Sequence, residues 1–127
     1  MKCFLAGFFG ALLLLIAAVL LSSQYSNYQA RAETSEWLAK IKPIQAAIEK
    51  NAIQQNSLIN AGKDVDKKAF QNADNLRFFE ITETSALILQ GGRKWAVILI
   101  PSLTAGQVTW RCIGGSAQLV PSECADN

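Results

Sequence analysis

The chain opens with an unbroken apolar run. Residues 3–21 (CFLAGFFGALLLLIAAVLL) contain no charge, amide or hydroxyl. As an α-helix rising ~1.5 Å per residue, this run would be roughly 28 Å long, close to the ~30 Å hydrocarbon core of a bilayer. The pattern predicts that residues 1–21 contain a retained transmembrane helix.

A cleaved secretory signal is the alternative interpretation, since such signals also have a positive start and an apolar centre. The run is longer than the about 7–15 apolar residues typical of a signal. The only good small-x-small cleavage site, Ala30-Arg31-Ala32, lies well beyond its end. Retention in the membrane is therefore the favoured interpretation.

Polar residues become frequent after Leu21, but up to Ala61 the chain has no glycine and a single proline, Pro43. We expect an amphipathic helix over 30–61 that continues the anchor, with a kink or break at Pro43 because proline lacks the backbone N–H. The polar face is mixed in sign, which favours a helix covering its own sheet over one lying on a membrane surface. Apolar positions recur at three- and four-residue steps and share one helix face: Trp37, Ile41, Ile44, Ile48 and Ala52.

The rest of the chain has the pattern of a small sheet. Residues 62–75 are polar and aperiodic, which indicates a surface loop with room for a short turn of helix. Gly91-Gly92 predicts a tight turn, and Pro101 to Gly106 is expected to connect the last two strands. We expect an α+β fold, in which the amphipathic helix packs on an antiparallel meander of three or four strands within 76–127. The runs with strand character are 76–81, 86–90, 94–100 and 107–113.

Length and composition limit what this domain can do. The chain has 127 residues and a net charge of +2, so residues 22–127 are expected to form one small soluble domain without a strongly charged partner. It contains no histidine, the commonest general base. No GxSxG, P-loop, HExxH or CxxC motif is present. We expect no enzymatic activity and no cofactor.

The three cysteines are unequally placed. Cys3 lies inside the apolar run, which leaves Cys112 and Cys124 as the only pair in the soluble part. A disulfide between them would close a ring of about 13 residues, worth ~3 kcal/mol in chain entropy, and would indicate an oxidising compartment. The residues alone leave two free thiols or half a metal site as alternatives, although a four-ligand zinc site has too few ligands.

Two C-terminal segments resemble a known family. They are Gly106-Gln107-Val108-Thr109-Trp110-Arg111-Cys112 and Leu119-Val120-Pro121-Ser122-Glu123-Cys124. Together they resemble the C-terminal disulfide loop of type IV pilins, in which a strand with Trp-x-Cys leads into a short loop closed by a second cysteine. The overall plan is also similar: an apolar N-terminal helix, an amphipathic continuation, a variable loop and a small antiparallel sheet.

The resemblance implies a structural or minor subunit of a pilus-like filament, serving adhesion, motility or uptake, with a Cys112–Cys124 disulfide. Its partners would be other pilin subunits and bacterial inner-membrane lipids. The head would lie in the periplasm, or outside the cell once assembled. Subunits would associate through their N-terminal helices, where the small residues Gly7, Gly10, Ala17 and Ala18 permit close approach. Both glycines also fit an ordinary membrane helix.

The N-terminus departs from the family pattern. Pilin leaders end in glycine before a phenylalanine, and Gly7-Phe8 is the only place in this chain that fits as a processing site. The family's buried glutamate, four residues further on, is replaced by Leu12. Such a chain is expected to stay uncleaved or to be incorporated sparsely. The alternative is a single-span periplasmic accessory or binding protein that does not polymerise.

Three cations stand alone in the C-terminal half. Arg93, Lys94 and Arg111 are the only charged residues between Ala86 and Ser122. They are weak candidates for binding an anionic ligand, such as the DNA taken up by some pilins. Basic residues on a β-surface more often serve solubility or edge protection.

Overall fold

The computed structural model describes residues 2–125, with side chains described for 6–22 and 24–125. The helices in this part of the chain are α1 (Lys2–Lys40), α2 (Lys42–Gln55), α3 (Lys68–Gln71) and α4 (Ser122–Ala125). The strands are β1 (Leu76–Ile81), β2 (Leu87–Gly91), β3 (Ala96–Thr104) and β4 (Gln107–Gly115). The N-terminal helix packs against an open four-stranded antiparallel sheet in the order β1-β2-β3-β4. This arrangement confirms the α+β fold.

Helices α1 and α2 form one nearly continuous helix. Ile41 interrupts it, but the Ile41 N–H still donates to Trp37 O at 3.0 Å, and Ile41 O accepts from the Gln45 N–H at 3.0 Å. Pro43 lies in the first turn of α2, where a backbone N–H would have no acceptor within the helix, so proline loses no hydrogen bond there. In a regular helix its ring would collide with the carbonyl of Ala39, so the ladder is interrupted just before it. The break expected at Pro43 is therefore confirmed at Ile41.

The second half of the helix is shorter than expected. It ends at Gln55, not at Ala61, because Asn56 adopts the left-handed conformation with φ 52° and ψ 38°. Asparagine tolerates this conformation better than most residues and often terminates helices. The Ser57 N–H then donates to Ala52 O at 3.0 Å, which satisfies a carbonyl at the helix end. The expectation of helix to Ala61 missed this cap, because the apolar residues after it imitate the helical period.

The third strand is longer than expected. Pro101 lies inside β3 opposite Trp110 in β4, so the segment from Pro101 to Gly106 is not a long connection. Strand β2 pairs with β3 only as far as Leu99, and proline is tolerated where one edge of a strand has no partner. The turn itself is Ala105-Gly106, with φ of 53° and 75°. Positive φ at both central residues is the signature of a type I′ hairpin.

The core lies between one stripe of α1 and α2 and one face of the sheet. The stripe expected from the sequence is buried throughout, with exposed fractions of 5% or less from Trp37 to Ala52. On the sheet, Leu87, Leu89, Val97 and Leu99 are buried, whereas Ile98 and Ile100 are exposed. This alternation is typical of a sheet with one covered face.

The loop 62–75 is attached to the core by α3, which fulfils the expectation of a short helical turn. Phe70 of α3 is buried and stacks on Phe79 of β1, with ring centroids 4.8 Å apart. It also contacts Trp37 of α1 at 5.5 Å. One aromatic side chain therefore ties the loop to both the helix and the sheet.

Candidate functional site

The N-terminal part of α1 is an uncovered apolar surface. Every side chain from Ala6 to Leu21 is exposed, and Leu14 reaches 73%. In the described part of the chain, one helix, Ala6–Lys40, is long and apolar enough to cross a membrane, a property that it shares with signal sequences near an N-terminus. Exposed apolar surface of this extent is typical of segments that contact a membrane or another protein. We call residues 6–21 the apolar span.

The residues expected to serve processing and helix packing lie on this span. The Gly7-Phe8 peptide is inside α1, and the Phe8 side chain is 62% exposed. A Cβ added to Gly7 or Gly10 would meet nothing within 4 Å, so no contact within the described chain requires glycine there. Ala17 and Ala18 are exposed as well. Leu12 offers only apolar surface at the position where pilins carry an acid.

A carboxylate on α1 holds the turn between β2 and β3. Glu33 accepts a hydrogen bond from Trp95 Nε1 at 3.0 Å and pairs with Arg93 Nε at 3.2 Å. Arg93 also donates to Gln29 Oε1 at 2.9 Å. The Glu33 side chain is only 13% exposed, so its ion pair is better shielded from water than a surface pair. The sequence did not reveal this site, because nothing local links residues 62 positions apart.

The C-terminal loop is fixed at two places. Cys112 of β4 and Cys124 of α4 form a disulfide with their Cα atoms 4.8 Å apart, which confirms the expected pair and removes the alternatives of free thiols or half a metal site. The buried Thr34 hydroxyl of α1 contacts Leu119 O at 3.2 Å and Ala30 O at 2.7 Å. The loop is therefore attached to both the sheet and the long helix.

Trp110 of the Trp-x-Cys segment joins the last strand to α2. Its Nε1 donates to Glu49 Oε1 at 2.7 Å, a short bond to a charged acceptor. Val108, Trp110 and Cys112 are all partly buried against the core, as their alternation along β4 predicts. The tryptophan therefore has a structural contact in this chain.

The three cations of the C-terminal half are not one cluster. Arg93 and Lys94 lie in the turn that follows β2, and Arg111 lies within β4 opposite Ile100. The end of β3 nearest this turn pairs with Gly115, and four residues of strand between Gly115 and Arg111 span about 13 Å. These positions are therefore separated along the sheet. Arg93 is already engaged by Glu33 and Gln29.

Among the side chains described for residues 6–22 and 24–125, no group of three or more His, Cys, Asp or Glu is arranged to hold a metal ion. No match to the chain was found among protein-family models, curated proteins or solved structures. The apolar N-terminal helix, the four-stranded antiparallel sheet and the Cys112–Cys124 disulfide are together consistent with a pilin-like architecture.

Proposed function

We propose that the chain is a pilin-like subunit that enters a filament as a minor component, with its head outside the bacterial inner membrane. The observation that carries this proposal is the continuity of α1. One helix without an internal break from Lys2 to Lys40 bears both the apolar span and the first part of the buried stripe. The proposal makes the protein structural and assigns it no catalytic role.

A continuous helix connects the head rigidly to its anchor, unlike a flexible linker. Flexible linkers let a tethered domain move independently of its anchor. Here Ala30, Thr34 and Trp37 are already buried in the head while still part of α1. The position of the apolar span therefore fixes the position of the head, as a filament built from bundled N-terminal helices requires.

The C-terminal contacts support the same proposal. The disulfide and the Thr34 contact hold the loop after β4 against the helix, and Glu33 holds the opposite turn. Head surfaces attached in this way keep their shape when the helix is pulled or packed. The disulfide also fits the oxidising periplasm in which the head would be exposed.

Leu12 limits the proposal to sparse incorporation. The resemblance to pilins implies that an acid at this position pairs with a neighbouring subunit's N-terminal amine. A charged group left unpaired at that depth costs about 2.5–3.5 kcal/mol on insertion scales. A filament of this chain alone would lack the pairing acid at every subunit, whereas isolated copies among acid-bearing subunits would not disrupt the whole bundle.

A shear experiment with two variants tests the proposal. The chain should be present in membranes and, at low abundance, in filaments sheared from the cell surface. Leu12→Glu should raise its abundance in sheared filaments, because it restores the missing acid. Leu13→Glu is the matched control, since it adds the same charge to the next position and a different helix face, and it should not raise abundance.

A single-span accessory protein of the periplasm is the second candidate, and the apolar Leu12 favours it. Such a protein would remain in the membrane fraction and be absent from sheared filaments in the wild-type chain and in both variants. That result would contradict the filament proposal while leaving the membrane anchor in place.

A further inference from the structure

We propose that α1 carries an anchor for phospholipid headgroups just beyond the apolar span. Its residues are Tyr25, Tyr28 and Arg31, which recur every three positions and share one helix face. Tyr25 and Tyr28 are 61% and 62% exposed, and Arg31 is exposed too. With Leu21, Ser22 and Gln24 they form an open, nearly flat patch of the helix surface. We call these three residues the Tyr-Arg stripe.

The stripe faces away from the head. On the other side of the same turns, Ala30 and Thr34 are buried, and Gln29 and Glu33 are bonded to Arg93. Among the side chains that the structure describes, in residues 6–22 and 24–125, those of the stripe form no hydrogen bond or ion pair with one another or with the rest. Two aromatic residues and an arginine therefore remain without a protein partner directly after a lipid-facing segment.

The helix length places the stripe at headgroup level, provided that α1 spans a membrane as proposed above. No charge occurs from Cys3 to Ala30, a segment that is about 42 Å long as a helix. A bilayer with its headgroups is about 40–45 Å thick. With residues 3–21 in the hydrocarbon core, Tyr25, Tyr28 and Arg31 lie about 6, 10 and 15 Å beyond Leu21 along the helix. Side chains on a helix tilt toward its N-terminus, so Tyr25, Tyr28 and Arg31 all reach back toward the lipid.

The chemistry of the stripe fits a phosphate at the edge of an apolar layer. Tyrosine places its ring in the apolar region and its hydroxyl among the headgroups. Arginine binds phosphate through two parallel N–H donors. The nearby acids do not oppose it, because Glu33 is paired with Arg93 and Glu36 is paired with Lys40 at 2.8 Å. Arg31 is thus left as a positive charge without a protein partner near the level of the lipid phosphates.

The direct test is a distance between the Arg31 guanidinium carbon and lipid phosphorus. The full chain, with ¹³C-labelled arginine, is reconstituted into vesicles of phosphatidylethanolamine and phosphatidylglycerol in phosphate-free buffer. Solid-state NMR then measures dephasing of the guanidinium carbon by ³¹P, which requires a separation of about 4–5 Å for a bidentate pair. We expect strong dephasing in the wild-type chain. Arg31→Lys should abolish most of it, and Arg77→Lys, which changes an exposed arginine of the head, should leave it unchanged.

A second measurement separates failure of the anchor from failure of the span. A nitroxide label at Leu14→Cys, in a Cys3→Ser background, reports oxygen accessibility at the centre of the apolar span. A label in lipid together with no dephasing of the arginine carbon would overturn the headgroup anchor but leave the membrane span intact. The same conclusion would follow if a second copy of the chain covered the stripe. Dephasing that persists in Arg31→Lys would also overturn it. A water-exposed label would contradict the proposed membrane span itself.

Discussion

Replacing Gly91 with alanine tests the packing between the long helix and the β2–β3 turn. Gly91 is buried at the end of β2, and a Cβ built on it would overlap the indole ring of Trp95. Its φ is not positive, so the backbone itself accepts alanine. Without the overlap, the substitution would stabilise the head by about 0.4–1 kcal/mol, because alanine lowers the conformational entropy of the unfolded chain. The sign of the effect therefore depends on Trp95.

The structure gives the expected size of the loss. Trp95 is fully buried, so it cannot yield to the new methyl group without shifting the residues around it. Overpacking of this kind costs about 1–3 kcal/mol. Moving the indole also weakens its bond to Glu33, and hydrogen bonds to charged groups contribute about 1.5–3 kcal/mol. We expect Gly91→Ala to lower the free energy of unfolding by about 2–4 kcal/mol.

The assay is thermal unfolding of the full chain in detergent micelles, followed by near-UV circular dichroism. A domain of this size loses about 4–8 °C in Tm for each kcal/mol. Gly92→Ala is the matched control, because its nearest contact is Asn75 O at 4.0 Å, and it should change stability by no more than about 0.5 kcal/mol. Equal stabilities for the two variants, or a stabilised Gly91→Ala, would refute the packing described for Trp95.

Three further predictions concern the loop, the helix and the orientation. Cys124→Ser should lower the stability of the head by about 2–5 kcal/mol in non-reducing denaturation, whereas an unchanged midpoint would show that the disulfide contributes nothing. Thr34→Val should cost about 1–3 kcal/mol because Leu119 O loses its hydroxyl contact, and Thr34→Ser should retain most of the stability. A reporter enzyme that is active only in the periplasm, fused after Asn127, should be active, and an inactive fusion would reverse the proposed orientation.

Much of the fold could be predicted because its signals are periodic. The stripe from Trp37 to Ala52 follows the helical period and is buried as expected. The alternation in the strands sets which face of the sheet is covered. The predicted ends of elements were wrong where one or two residues adopt a positive φ. Asn56 stops α2 with a positive φ, and Ala105-Gly106 forms a hairpin turn shorter than the sequence suggested.

The contacts that fix the head to α1 were less predictable. Cysteine pairing could be inferred because only two cysteines lie outside the apolar run, and the disulfide confirms it. The contacts of Glu33 with Trp95 and Arg93 join residues far apart in sequence. From the sequence alone, a glutamate on a helix is expected to be an ordinary solvent-exposed charge. The same holds for Trp110 and Glu49. Only the packed geometry shows which polar groups face each other.

The most direct test of the filament proposal is to determine the N-terminus of the chain from membranes and from sheared surface filaments by mass spectrometry, together with its abundance in each. We predict either the uncleaved chain or one that begins at Phe8 in the membrane, and in filaments only a small share among subunits that carry the acid. A soluble form beginning near Glu33, or abundant filaments of this chain alone beginning at Phe8, would contradict the account.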